Sequence, residues 1–125
     1  MSTTAGPMVV QVAQHVDDLD RATGFYTETL GLPLIARFGS LVFVDLGGTR
    51  LLLDESAPAA LLYLRVDELD RQITHLRHAG VEIVSDPHDI FTDDDGVFGG
   101  HWKVESQAFI RDSEGNLLGL VGHRG

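Results

Sequence analysis

Apolar residues recur along this chain first with a strand-like period and then with a helical one, and the whole alternation occurs twice. From Val9 to Val16 the residues are β-rich, after which Leu19, Ala22, Phe25, Tyr26 and Leu30 fall at helical spacing. Asp17 stands where a helix cap belongs, with Asp20 three residues on, and Gly31 follows the last periodic position. Three short strands are then expected in "LPLIARF", "LVFVDLG" and "TRLLLDE", with turns at Gly39-Ser40 and Gly47-Gly48. The second half follows the same course. "LLYLRV" reads as a strand and Asp67 as a cap, while Leu69, Ile73, Leu76 and Ala79 form a helical face that ends at Gly80. Strands in "VEIVSD", "VESQAFIRD" and "NLLGLVG" complete it, the last two joined by a turn at Ser113-Glu114-Gly115.

A shift of 50 residues superposes Val16 on Val66, Asp17 on Asp67, Leu19 on Leu69, Asp20 on Asp70 and Arg21 on Arg71. The predicted class is therefore α+β: a β-α-β-β-β unit used twice, over about 8–55 and about 60–123, in a single domain spanning 1–125. The units differ in one place. "DPHDIFTDDDGVFGGHWK", from Asp86 to Lys103, is charged and glycine-bearing and has too few periodic apolar positions for an element, so it is expected as a long loop. Within it, "DDDG" at Asp93 lacks the ligand spacing and closing Glu of an EF-hand and reads as solvated.

Charge and composition narrow the function classes. Nine Lys and Arg against 19 Asp and Glu give a formal net charge of −10, which repels nucleic acid and anionic membranes and attracts cations. The absence of cysteine removes disulfides, thiolate nucleophiles, Cys-ligated zinc and iron–sulfur clusters. No apolar run approaches the ~20 residues of a membrane span. "MSTTAGPMVV" lacks a basic n-region, so a cytoplasmic location is expected. There is no phosphate-cradling glycine motif and no Gly-x-Ser-x-Gly.

Two motifs carry a resemblance. "VDDLDRATGFYTETLGL" resembles the opening helix of the vicinal oxygen chelate superfamily, which includes glyoxalases, bleomycin resistance proteins and extradiol dioxygenases. "FIRDSEGNLLGL" resembles its closing hairpin, usually written Asp-Pro-Asp-Gly-Asn, with Ser113 in place of the proline. The likeness implies paired units whose curled mixed sheets enclose a cleft. It also implies where a metal would be held: at Gln11 and Leu61 on the first strands, and at Leu52 and Gly119 on the last. Leu and Gly offer no donor and one neutral Gln cannot hold a divalent ion alone, so no metal or other cofactor is expected at that quartet.

Other side chains fall on the cleft face that the resemblance implies. If Leu61 faces inward, Tyr63 does too, and Glu105, Gln107 and Phe109 share one face of their strand. Gln11, Tyr63, Gln107 and Phe109, with Trp102, are the expected ligand-binding residues. Glu105 and His101 are the catalytic candidates: a half-buried carboxylate and an imidazole can each exchange a proton. His88, His101 and Glu105 are a further, relocated metal set with suitable chemistry but no supporting spacing. His75 and His78, one turn apart on the second helix, are expected to serve packing and solvation.

Two readings follow. One is a metal-independent small-molecule-binding protein of the bleomycin resistance type, sequestering a drug or metabolite of cationic character. The other is an enzyme (a lyase, isomerase or cyclase) working by acid/base chemistry or through the relocated metal. In either case a homodimer is expected, and Pro7 before the first strand fits the strand exchange common in such relatives.

Overall fold

A computed structural model, which describes residues 6–125, contains the expected repeat as two compact units, one ending at Ala60 and the other beginning at Leu61. The first comprises β1 (Gln11–His15), α1 (Leu19–Gly24), a π-helical turn (Phe25–Thr29), β2 (Leu34–Phe38), β3 (Leu41–Asp45) and β4 (Arg50–Asp54). The strand order is β1-β4-β3-β2, with β1 parallel to β4 and the other pairs antiparallel. Alternation works as expected: Val42, Val44, Leu51 and Leu53 are buried, together with Leu19, Ala22, Phe25 and Tyr26 from the helical segment.

The second unit comprises β5 (Leu62–Arg65), α2 (Leu69–His78), β6 (Ile83–Thr92), β7 (Val104–Arg111) and β8 (Leu117–Arg124), in the order β5-β8-β7-β6. Again the first strand runs parallel to the last and the rest are antiparallel, so neither sheet closes on itself. Leu69, Ile73 and Leu76 of α2 are buried, as are Ala108, Ile110, Leu118 and Leu120 of the sheet. The β7–β8 turn shows why its residues take the form "RDSEGN". The buried Asp112 carboxylate accepts from the backbone N–H groups of Glu114 and Asn116, each at 2.8 Å, and Gly115 adopts φ +83°.

Several boundaries depart from the sequence expectation. The cap of α1 is Asp18, whose side chain accepts from Arg21 N, because Asp17 is drawn back to His15 at 2.8 Å. The helix does not continue regularly to Gly31. A backbone bond from Leu30 N to Phe25 O at 2.9 Å widens its end into the π turn. At α2 the cap position is Glu68, not Asp67. Its backbone is left-handed (φ 50°), and its carboxylate pairs with Arg71 at 3.0 Å instead of capping. Ala79 is exposed, since the chain turns away at Gly80.

The largest correction concerns the expected loop from Asp86 to Lys103. Its first part is strand, because β6 runs to Thr92 along β7 through three register irregularities. Pro87 is tolerated there because β6 is an edge strand with bulges. Only residues 93–103 form the loop. Asp93 there is buried, not solvated: its carboxylate accepts from Val97 N at 2.8 Å and Phe98 N at 3.0 Å. Among the described residues no helix is long and apolar enough to cross a membrane.

Candidate functional site

The second sheet has two chemically different faces. Ser106, Ala108 and Ile110 of β7 pair with Gly122, Leu120 and Leu118 of β8 and lie on the face that α2 covers; Gly122 approaches Leu69 so closely that a Cβ there would stand 2.7 Å from the Leu69 Cβ. On the opposite face Glu105, Gln107 and Phe109 pair with His123, Val121 and Gly119, and Tyr63 of β5 pairs with Gly119 from the other side.

This second face carries a continuous row of aromatic and polar groups. The Tyr63 ring lies over Gly119 and meets Phe109 edge-on, with centroids 5.8 Å apart. Beside them Gln107 Nε2 donates to Glu105 Oε2 at 3.0 Å, and His123 Nε2 bonds Glu105 Oε1 at 3.0 Å. The Glu105 and His123 side chains are only 16% and 20% exposed. The indole of Trp102 stacks on the His123 imidazole with centroids 3.9 Å apart and planes 7° apart. Phe91 and Phe98 extend the cluster, at 6.0 and 6.1 Å from the indole.

The loop that delivers Trp102 is ordered by its own residues. Asp93 ties down the backbone at Val97 and Phe98, and Lys103 N donates to Arg124 O at 3.0 Å. Gly100 is required here for space: a Cβ would lie 2.1 Å from the indole Nε1.

The sequence-derived candidates are therefore placed unequally. Tyr63, Trp102, Glu105, Gln107 and Phe109 share one face. His101 is exposed at the bend before the indole. Gln11 lies on β1 in the first unit, where its Oε1 accepts from Arg50 Nε at 3.1 Å. The imidazole of His123 covers one side of the Trp102 ring. His123 lies beyond Gly122, where the expected last strand ends. Continuing the alternation of "LLGLVGHR" by two residues sets His123 directly opposite Glu105.

Neither metal arrangement fits. At the quartet implied by the resemblance, Leu52 and Leu61 are apolar, Gln11 is held by Arg50, and the space beside Gly119 is filled by the Tyr63 ring, where a Cβ would lie 2.6 Å from Tyr63 Cδ2. The relocated set is not assembled either. His88 Nδ1 bonds Asp86 O at 3.0 Å, and among the described residues no three His, Asp or Glu side chains gather as a metal would require.

A second polar cluster lies on the helix-covered face. Arg124 bonds both carboxylate oxygens of Asp89, at 2.6 and 2.5 Å, and Ser106 Oγ donates to Asp89 at 2.7 Å. The hydrogen bonds from Arg124, then Ser106, hold the Asp89 carboxyl far below its ordinary 3.8. A pocket of about 590 Å³ opens beside this cluster, bounded by Glu68, Asp70, Arg71 and Pro87. Its Arg124 is already neutralised by Asp89, and Arg71 is paired with Glu68.

Comparison with known proteins agrees with this fold. The family model of the glyoxalase/bleomycin resistance protein/dioxygenase superfamily matches residues 9–120. No curated protein matches the chain significantly. Among solved structures, TnmS3 from Streptomyces sp. CB03234, described as an antibiotic binding protein, is 25% identical with a TM-score of 0.71, covering 97% of this chain and 99% of that one. TioX from Micromonospora sp. ML1 is 21% identical with a TM-score of 0.70, over 94% of this chain and 99% of that one. Lactoylglutathione lyase from Agrobacterium tumefaciens is 23% identical with a TM-score of 0.69, over 95% and 96% respectively. The last two likenesses, at this identity, speak for the fold alone. With 112 of its 125 positions inside the family model, the chain belongs to the glyoxalase/bleomycin resistance protein/dioxygenase superfamily.

Proposed function

We propose that this protein is a metal-independent small-molecule-binding member of the superfamily, which sequesters a drug or metabolite on the β7–β8 face of its second unit. The observation that carries the reading is the continuity of that face: Tyr63 and Phe109 offer apolar contact, and Gln107, Glu105 and His123 offer a linked polar centre beside Trp102. TnmS3, an antibiotic binding protein of the same fold, makes an antibiotic-like ligand a reasonable class. The net charge of −10 favours ligands that are neutral or cationic over anions.

The test uses the chain's single tryptophan, which belongs to the face and reports on it. Dialysed protein, its metal content measured by elemental analysis, is screened by thermal shift and Trp102 fluorescence. The panel sets cationic glycopeptides and flat polycyclic compounds against small hydroxy- and keto-acids. Binding of the first class without added metal is the expected result. One equivalent of zinc, nickel, manganese or iron surviving dialysis would overturn the metal-independent reading. Turnover of an acid would favour the alternative, an acid/base lyase, isomerase or cyclase, for which the Glu105–His123 pair is the supporting observation.

A further inference from the structure

Hydrogen-bond roles on the β7–β8 face follow from the chemistry of its groups. An ionised carboxylate only accepts, so Nε2 of His123 carries the hydrogen shared with Glu105 at 3.0 Å. The other Glu105 oxygen accepts from Gln107 at 3.0 Å. Glu105 is thus engaged at both oxygens by its neighbours. With Nε2 protonated, a neutral imidazole keeps its lone pair at Nδ1. Nδ1 of His123 and Oε1 of Gln107 make no hydrogen bond among the described residues. Neither is fully buried, since Ser85 Oγ is the one fully buried side-chain polar atom without a partner among those residues. The imidazole is also fixed in plane, flat against the indole 3.9 Å away.

Building on the reading of this face as a small-molecule site, we propose that His123 Nδ1, oriented by Glu105 and Trp102, is the atom that anchors the ligand. Gln107 Oε1 is the second acceptor, and the ligand class is a planar ring bearing an O–H or N–H donor. Glu105 is then a positioning residue and not the group that meets the ligand, which revises the role expected for it from the sequence.

The first measurement needs no ligand. In the neutral imidazole form, nitrogen-resolved NMR of the full chain should show His123 protonated at Nε2 and bare at Nδ1. Its ring protons should be shifted upfield by the indole. Glu105→Gln should move this balance toward the Nδ1–H tautomer, because an amide can donate to Nε2, with the circular dichroism spectrum unchanged. An Nδ1–H tautomer in the native protein, or a balance indifferent to Glu105→Gln, overturns the proposal.

The second measurement uses 2-naphthol and its methyl ether, which differ by one donor, titrated against Trp102 fluorescence. Naphthol should bind roughly three- to tenfold more tightly, the range of one net hydrogen bond. His123→Phe keeps a flat ring on the indole, removes the acceptor, and should erase the difference. Equal affinities in the native protein, or a difference that survives His123→Phe, overturn the anchor assignment and leave the face as a binding site. Failure of both compounds to bind at millimolar concentration overturns the anchor and its planar-ring ligand class, while the panel of cationic glycopeptides and polycyclic compounds decides the binding reading.

Discussion

His15 shows how much a single ring can hold. Its Nδ1 bonds the Ala57 carbonyl oxygen at 3.0 Å and its Nε2 bonds Asp17 Oδ1 at 2.8 Å, so both nitrogens face acceptors. Only the imidazolium can donate to both. The Asp17 hydrogen bond is the main cause of a pKa raised above 6.5, against a lowering by desolvation. A raised folded value means a stabilising contribution that is complete below the unfolded value and lost as pH rises through the folded one. The difference in denaturation midpoint between the native protein and His15→Gln should therefore be larger at about pH 5.5 than at about pH 8.5. An equal difference at both would show that the ring acts without its charge. Asp93 gives the second residue-scale expectation. A buried carboxylate bonded to two backbone N–H groups loses about 1–3 kcal/mol when removed, so Asp93→Ala should loosen residues 93–103 and red-shift the Trp102 emission.

At the scale of elements, the close approach of β8 to α2 is the sharpest constraint. Gly122→Ala would set a methyl 2.7 Å from Leu69 Cβ, an atom next to helix backbone that has little room to yield. Overpacking of this kind costs about 1–3 kcal/mol, which a urea unfolding curve resolves. Gly119→Ala meets the Tyr63 ring instead, a side chain that can swing aside, so it should disturb the binding face more than stability. Neither contact is visible in the sequence, where both glycines merely interrupt an apolar run. What was legible there was period: the alternation of β7 put Glu105, Gln107 and Phe109 on one face, and the 50-residue repeat predicted both sheets. The illegible parts had local signals that pointed the other way. Bulges in β6 break the apolar alternation from Asp86 onward, Asp17 stands beside the true cap Asp18, and β8 runs past Gly122 to bring His123 into the site.

The whole molecule carries ten net negative charges and still exposes apolar side chains along an open sheet edge. In the first unit β2 is an outermost strand, and its Leu34, Ile35 and Phe38 are 53%, 50% and 67% exposed. Met8, Val9 and Val10, leading into the other outermost strand, are 81%, 68% and 61% exposed. Unpaired edges bearing apolar residues are ordinarily covered or charged, and here nothing in the sequence of β2 except Arg37 is charged. A homodimer that buries such an edge satisfies the backbone groups and the apolar surface together. Two chains of like charge also repel, and that repulsion is screened at higher ionic strength, whereas apolar burial is not weakened by it. Association should therefore tighten with salt. Light scattering at micromolar concentration should give a dimer mass, with the dissociation constant falling between low and moderate sodium chloride. Phe38→Asp, which sets a charge on the exposed edge, should return the chain to monomer with its fold intact. A monomer mass for the native protein at every salt concentration would show that these edges stay open in solution.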